Sequence, residues 1–438
     1  MEIFEYLDVI LQWQAIIKET QGITRECEHV IMDTIGSKPI KIITGFRRSG
    51  KSFLMQRIAS NCIKEKIYPR ENIFYLNFEE YRLSSIDSPE KVDALIQLFK
   101  NEISKSGRKL LIFDEIQKVH HWDRLIRTLY EREREVDIFI TGSNSELLSS
   151  ELGSNLAGRF ISFFILPFSF KEVLIYKGLN IKTPIDFIKQ KQEIFILFHD
   201  YIRFGGLPET FTINSEKAKY SYLEGILSKV ILDDIIDRFN VRQTDIIKQL
   251  LSYLLSGTGN LVSNKRIANF IQNGKGDVKQ QTIKTYIEYI IQTFALFGIH
   301  KFDWKQSQVF SGKKKYYAVD TGISNLYCDY LRNYSKKLEN IVFLKLMRDD
   351  YNIFFGTLQN GKEINFITQK RNIFAKYQIT KTLHADNYTR ELSPFTFSDQ
   401  YSGENIILTM DEQDEELTFK DCKIFKRYIL TWLLDIYR

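Results

Sequence analysis

The chain has 438 residues, 44% of them hydrophobic, 14% aromatic and only 7 proline. That length exceeds a single core and calls for about two to four domains, while the composition excludes long disordered linkers. The net charge is a modest +6, and no apolar run is long enough to cross a bilayer.

In chain order, the first stretch, "MEIFEYLDVILQWQ", carries Glu2, Glu5 and Asp8 where a signal peptide needs basic residues, so residues 1–35 are expected to form an N-terminal helical segment. Between Pro39 and Phe168 five apolar runs read as strands: "IKIITG", "NIFYLNF", "KLLIFD", "VDIFITG" and "ISFFIL". Near-continuous apolar runs are what strands of a parallel sheet buried on both faces require. Amphipathic segments such as "SFLMQRIASNCIKE" lie between them, and the alternation predicts a doubly wound α/β domain over residues 36–175. After Pro167 the pattern is largely helical. A helical lid or connector is expected over 176–240, broken by "RFGGLPET".

From Val241 the segments "SNKRIANFIQ" and "KQQTIKTYIEYIIQTFALFGI", separated by the turn "NGKGD", suggest a helix-turn-helix. "HKFDWKQSQVFSGKKKYYAVD" then alternates like a hairpin and would be its wing, giving a winged helix over 241–330. Residues 331–438 mix a helix ("LENIVFLKLMRD"), strands around Asn360-Gly361 and a final helix ("FKRYILTWLLDI"), and read as a separate α/β unit. Cys27, Cys62, Cys328 and Cys422 are too scattered for a zinc site or a disulfide framework, which fits a reducing cytoplasm.

Charge is uneven. The window 261–315 holds ten Lys/Arg against three acids (Asp277, Glu288, Asp303), a local net of +7 in a chain whose total is +6. Any nucleic-acid contact is to be sought there first, with Lys279, Gln280, Gln281 and Lys284 of the recognition-helix candidate offered to a groove. A solvated basic face or a protein-docking winged helix is the alternative.

The chemistry is concentrated earlier. "GFRRSGKS", Gly45 to Ser52, is G-x4-G-K-S placed after a strand and before a helix. Gly45 and Gly50 let backbone N–H groups turn toward phosphates, and Arg47, Arg48, Ser49 and Phe53 complete the expected cradle. Lys51 would reach the β- and γ-phosphates of ATP, and the Ser52 hydroxyl would hold Mg²⁺. Asp114 ends the buried run "LLIFD", where the expected partner is the same Mg²⁺, and Glu115 follows, placed to polarise a water. "FITGSNSELL" puts Ser143 or Asn144 either near the γ-phosphate or at a helix cap. Arg159 in "LAGRF" is either an arginine finger for a neighbouring subunit's nucleotide or a salt-bridge partner.

The set "GFRRSGKS", "LIFDEIQKV", "ITGSNSELL", "LAGRF" and "LPFSF", followed by "GGLPE", "KVILDDIIDRF", "YYAVDTGIS" and "LENIVFLKL", resembles a family of bacterial and archaeal AAA-superfamily ATPases with a C-terminal domain of unknown function. The resemblance spans nearly the whole chain. It implies an AAA-type P-loop core, a winged-helix region and a restriction-endonuclease-like C-terminal α/β domain. Family members that keep a nuclease pattern have an acid on a helix, an Asp after a hairpin turn and E-x-K on the next strand. Here Glu339 matches the first, but the other positions hold Asn365, Gln378 and Thr380, with Lys381 one residue out of phase and Glu363 on the Asn365 face. A degenerate domain that binds a partner rather than cutting DNA is expected.

The expected activity is therefore Mg²⁺-dependent ATP hydrolysis by an AAA-type switch or motor, homo-oligomeric, cytoplasmic and without a membrane partner, acting on an unidentified protein or on DNA. The alternative is a nucleotide-gated DNA-binding regulator that does not hydrolyse ATP.

Overall fold

All five apolar runs of the first half fold as strands: β1 (Ile40–Thr44), β2 (Ile73–Asn77), β3 (Lys109–Asp114), β4 (Val136–Gly142) and β5 (Phe160–Phe164). They pair in parallel in the order β2-β3-β4-β1-β5. The computed structural model describes residues 3–143, 156–272, 279–303, 308–357, 362–371, 373–397 and 403–436. The chain divides into two units, residues 1–165 and 166–438.

In the first unit, helices α1 (Ile3–Glu19), α2 (Glu28–Met32), α3 (Lys51–Lys64), α4 (Pro89–Glu102) and α5 (Trp122–Arg132) accompany the sheet. Alternate strand residues enter two separate cores, because successive side chains point to opposite faces. Phe74, Leu76, Leu111 and Phe113 join Val92, Ile96 and Trp122 of α4 and α5. Ile73, Tyr75, Leu110 and Ile112 join Leu54, Met55 and Ile58 of α3. This is the doubly wound arrangement, and it sends the C-terminal ends of β1, β3 and β4 to one edge of the sheet. Lys41, wholly buried within β1, is matched by the equally buried Asp137 of β4 at 3.7 Å.

The second unit begins with helices, among them Lys191–Phe204 and Glu216–Lys229, the latter running into a π-helical segment, Val230–Asp237. Helices Thr244–Ser256, Asn264–Gln272 and Gln280–Gln292 follow, then the hairpin β7 (Leu296–Asp303) and β8 (Gln308–Ala318), with β6 (Leu261–Val262) pairing on β8. Two helices and a strand pair occupy the segments read as the helix-turn-helix and its wing. The linking turn "NGKGD" lies outside the described residues, as does Asn360-Gly361.

Three expectations change. The helix read over "KQQTIKTYIEYIIQTFALFGI" stops at Gln292, because Phe294 takes a left-handed conformation (φ 61°) and the apolar tail becomes β7. The helix read over "FKRYILTWLLDI" is strand β14 (Cys422–Tyr428) followed by a short helix, Ile429–Leu433. The 330/331 boundary does not separate two sheets: β7 pairs with β9 (Asn352–Thr357), and β6 to β14 form one sheet of nine described strands. Its terminal part comprises helix Tyr334–Arg348, β9, β10 (Glu363–Lys370), β11 (Ile373–Ile379), helix Ala385–Leu392, β12 (Gly403–Thr409), β13 (Glu415–Phe419) and β14. β10 is antiparallel to β9 and β11, while β11, β12 and β14 run parallel.

Candidate functional site: a phosphate loop and its acids

Strand β1 delivers the chain to Gly45, whose backbone passes so close to Ile165 that an added Cβ would stand 2.2 Å from that residue's carbonyl oxygen. Only glycine fits. At the other end Gly50 (φ 93°) is left-handed and opens α3, while Arg48 holds a left-handed turn inside the loop (φ 65°). Lys51, the first residue of α3, is buried, and its ammonium donates to the Gly45 and Phe46 carbonyls at 3.1 Å each. Its side chain thus folds back across the loop. Ser49 is wholly buried, and its Oγ has no hydrogen-bond partner.

Asp114, at the end of β3, is fully buried. Tyr75 of β2 donates its phenol to Asp114 Oδ2 at 2.6 Å, the Thr141 hydroxyl of β4 donates to Oδ1, and the Ser52 side chain hydrogen-bonds the same carboxylate. Burial, with the neighbouring charge of Glu115, pushes the Asp114 pKa above its ordinary value, and the three hydroxyls pull against that shift. Glu115 follows in a left-handed conformation (φ 55°) and is also buried. Its N–H donates to Thr141 Oγ1 at 3.1 Å, and its carboxylate accepts from Gln117 Nε2. Lys51, Ser52, Asp114 and Glu115 therefore all sit at the C-terminal edge of the sheet, where a helix N-terminus points its free N–H groups.

The remaining sequence-predicted residues divide. Arg47 pairs with Glu79 at 3.8 Å, Phe53 is about half exposed, and Ser143 is buried just beyond β4. Asn144 lies outside the described residues. Arg159 precedes β5 and binds Glu131 of α5 at 3.3 Å. Because Ile40 pairs with Phe160 and Thr44 with Phe164, Arg159 stands at the N-terminal edge, about 20 Å along the strands from the loop. It does not join the site of its own chain.

Sequence reasoning missed Tyr75 and Thr141. A phenol within an aliphatic strand and a hydroxyl beside the end of another were the available signals. It also missed Arg25, which donates Nη1 to the Ser49 carbonyl at 3.2 Å.

In the second unit one expectation fails outright. Lys315, counted with the basic surface, is wholly buried between Glu339 (3.4 Å) and Glu363. Tyr317 donates to Glu339 at 2.7 Å and Lys336 pairs with it at 3.0 Å. Burial pulls the Lys315 pKa down, but the two carboxylates outweigh it and the net shift is upward. Lys279, Gln280, Gln281 and Lys284 are exposed together at the start of their helix, as expected. Asn365 and Gln378 are turned to each other's strands: Asn365 Oδ1 accepts from Ile379 N–H at 2.8 Å, and Gln378 Oε1 accepts from Asn365 N–H at 3.2 Å. Lys381 lies over the Tyr334 ring, 5.2 Å from its centre. Among the described residues no group of three or more His, Cys, Asp and Glu is arranged to hold a metal ion. Nor is any helix among them long and apolar enough to cross a membrane.

These features define a P-loop protein of the AAA class, and the family comparison agrees. Residues 37–174 match the family described as "AAA domain", and residues 196–333 match "Domain of unknown function (DUF8612)". The uncharacterized protein MJ1544 of Methanocaldococcus jannaschii is 32% identical over 392 residues, covering 89% of this chain and 84% of the relative. An uncharacterized protein of Haemophilus influenzae is 30% identical over 398 residues, covering 90% and 94%. The chain belongs to this family of proteins, which joins an AAA domain to a distinct C-terminal region. Among solved structures, the Aeropyrum pernix Orc1 protein, determined in complex with DNA, aligns over 76% of this chain and 97% of its own, at 12% identity and a TM-score of 0.30. That likeness is too slight to carry over what Orc1 binds.

Proposed function

We propose that this protein binds and hydrolyses ATP with Mg²⁺ and uses the cycle to act on a protein or DNA partner. The observation that carries the reading is the convergence of Lys51, Ser52, Asp114 and Glu115 at one sheet edge, with Asp114 held by Tyr75 and Thr141. The residues fit the metal. Ser52 and Asp114 supply one neutral and one anionic oxygen, the sparse set expected where phosphate oxygens and waters complete an octahedral shell. Mg²⁺ would neutralise charge on the phosphates when bound. The chain's own groups do the rest. Lys51 Nζ exchanges its two carbonyl partners for phosphate oxygens, and Glu115 accepts a proton from the attacking water.

Arg159 is proposed to act on a neighbouring subunit's nucleotide, since its strand end faces away from its own loop. The exposed Lys279, Gln280, Gln281 and Lys284 favour a groove contact with DNA. The terminal part is proposed to be a degenerate restriction-endonuclease-like domain that binds and does not cleave. Its would-be ligand positions, Asn365 and Gln378, are neutral and engaged in strand-to-strand hydrogen bonds.

Titration with labelled ATP and Mg²⁺ tests the core of this reading. The parent binds, and Lys51→Ala does not, because the charge on the β/γ-phosphates is gone. Equal binding by the two removes the assignment.

A further inference from the structure

A segment that none of the nucleotide motifs includes grips the phosphate loop from outside. Residues 20–27, between α1 and α2, form with Glu28 at the start of α2 a strap over the start of α3. Arg25 in this strap is buried, and its Nη1 donates to the Ser49 carbonyl oxygen at 3.2 Å. The strap has its own anchors on α3. Glu28 accepts from Arg57 Nε at 2.8 Å and from Asn61 Nδ2 at 2.7 Å, and also from the Arg25 backbone N–H at 3.1 Å. Arg57 further donates to the Gly22 carbonyl (2.6 Å) and to Thr24 Oγ1 (2.8 Å). Gly22 lies so close to the Phe53 ring that a Cβ there would come within 2.7 Å of it.

We propose that Arg25 is a positioning residue of the phosphate loop: by holding the Ser49 carbonyl outside the loop it aims the Gly50 N–H at a bound phosphate. The proposal rests on the ATP-site reading above. A trans peptide directs its C=O and N–H to opposite sides, and no cis peptide occurs among the described residues. Fixing the Ser49 oxygen therefore fixes where the Gly50 hydrogen points. The loop does not supply this restraint through its own side chain, because Ser49 Oγ bonds to nothing. Gly50 adds backbone freedom, so an unheld 49–50 peptide turns over at little cost. A guanidinium bond to a buried carbonyl is charge-assisted and strong enough to prevent that.

The competing explanation is that Arg25 merely fastens the strap. The anchors decide between them. Glu28, Arg57 and Asn61 hold the strap without the Arg25 guanidinium, so deleting that guanidinium is expected to leave these anchors in place while the Ser49 carbonyl loses its hold.

Binding of Mg-ATP and of inorganic triphosphate to the full chain, alongside the melting temperature without ligand, separates these readings. Arg25→Gln is expected to weaken ATP and triphosphate by the same factor, about tenfold or more. Arg25→Lys, which keeps a cationic donor, recovers part of that loss. Arg57→Gln loosens the strap, lowers the melting temperature and leaves the affinity for triphosphate unchanged. The proposal is overturned if Arg25→Gln and Arg25→Lys bind triphosphate as tightly as the parent. It is equally overturned if Arg57→Gln loses as much affinity as Arg25→Gln, which would make the strap a simple anchor. A parent chain that binds neither ATP nor triphosphate overturns both this proposal and the reading beneath it.

Discussion

The Thr141 hydroxyl donates its hydrogen to Asp114 and accepts the Glu115 N–H, so one side chain fixes both acids of the site. A hydroxyl has one hydrogen and two lone pairs, which is what this bridge uses. Tyr75 gives Asp114 a second donor and itself accepts from Gln56 at 3.3 Å. Removing a donor from a buried carboxylate costs about 1–3 kcal/mol, so Tyr75→Phe is expected to lower kcat by about tenfold. Affinity for inorganic triphosphate, set by the loop, should hold. Single-turnover phosphate release compared with triphosphate titration checks that split, and equal loss of both would place Tyr75 in the fold alone.

The buried charges of the second unit make a separate residue-scale prediction. Burial raises the Glu339 pKa, but Lys315 and Lys336 outweigh it and hold it below the ordinary carboxylate value of 4.5. A depressed folded-state pKa gives stability that is present above the unfolded-state value and lost as pH falls through the folded one. Glu339→Gln should therefore cost about 3 kcal/mol at neutral pH, near the low end for a broken buried pair because Lys315 keeps Glu363. The difference from the parent should shrink as pH falls below about 4.5. Urea unfolding at pH 7 and pH 4 measures it, and a gap that grows in acid contradicts the assignment.

Among the elements, the edge occupied by each strand end decides which residues can cooperate. β1, β3 and β4 release their site residues at one edge, and Arg159 stands just before β5 at the other. If Arg159 works across a subunit boundary, mixing Arg159→Ala protein with Glu115→Gln protein restores part of the activity each lacks. A chain that light scattering finds monomeric with and without ATP excludes this. The same elements explain what the sequence made legible. Strands β1 to β4, buried almost throughout, leave unbroken apolar runs and could be read directly, and the edge strand β5 keeps such a run although it is partly exposed. The second half of β14 was read as helix because "FKRY" runs straight into the apolar "ILTWLL", yet the burial of β14 alternates as a strand's does. Tyr75, Thr141 and Arg25 stayed hidden because their partners lie 39, 27 and 24 positions away. Lys315 was misread for the same reason. The acids that neutralise it, Glu339 and Glu363, come from a helix and a strand that only the nine-stranded sheet brings together.

At the scale of the whole molecule, the basic window remains the place to test DNA binding, but with different residues. Reversing Lys315 would put three carboxylates together and unfold the region before it said anything about DNA. Lys279→Glu with Lys284→Glu, both exposed, should weaken duplex binding and flatten its salt dependence while leaving ATP affinity intact. A gel shift at low salt with no complex from the parent rejects the DNA reading. The terminal part should not nick plasmid DNA with Mg²⁺ or Mn²⁺, and nicking abolished by Glu339→Ala would reject the non-cleaving role. Both outcomes matter only if the nucleotide site turns over. The most direct measurement is steady-state phosphate release from Mg-ATP by the parent and by Glu115→Gln, with ATP binding measured on the same samples. The account predicts that the parent releases phosphate and that Glu115→Gln binds ATP as the parent does but turns over at least about a hundredfold more slowly, the scale of a lost general base. Equal turnover in the two, or none in a parent that binds ATP, would contradict it.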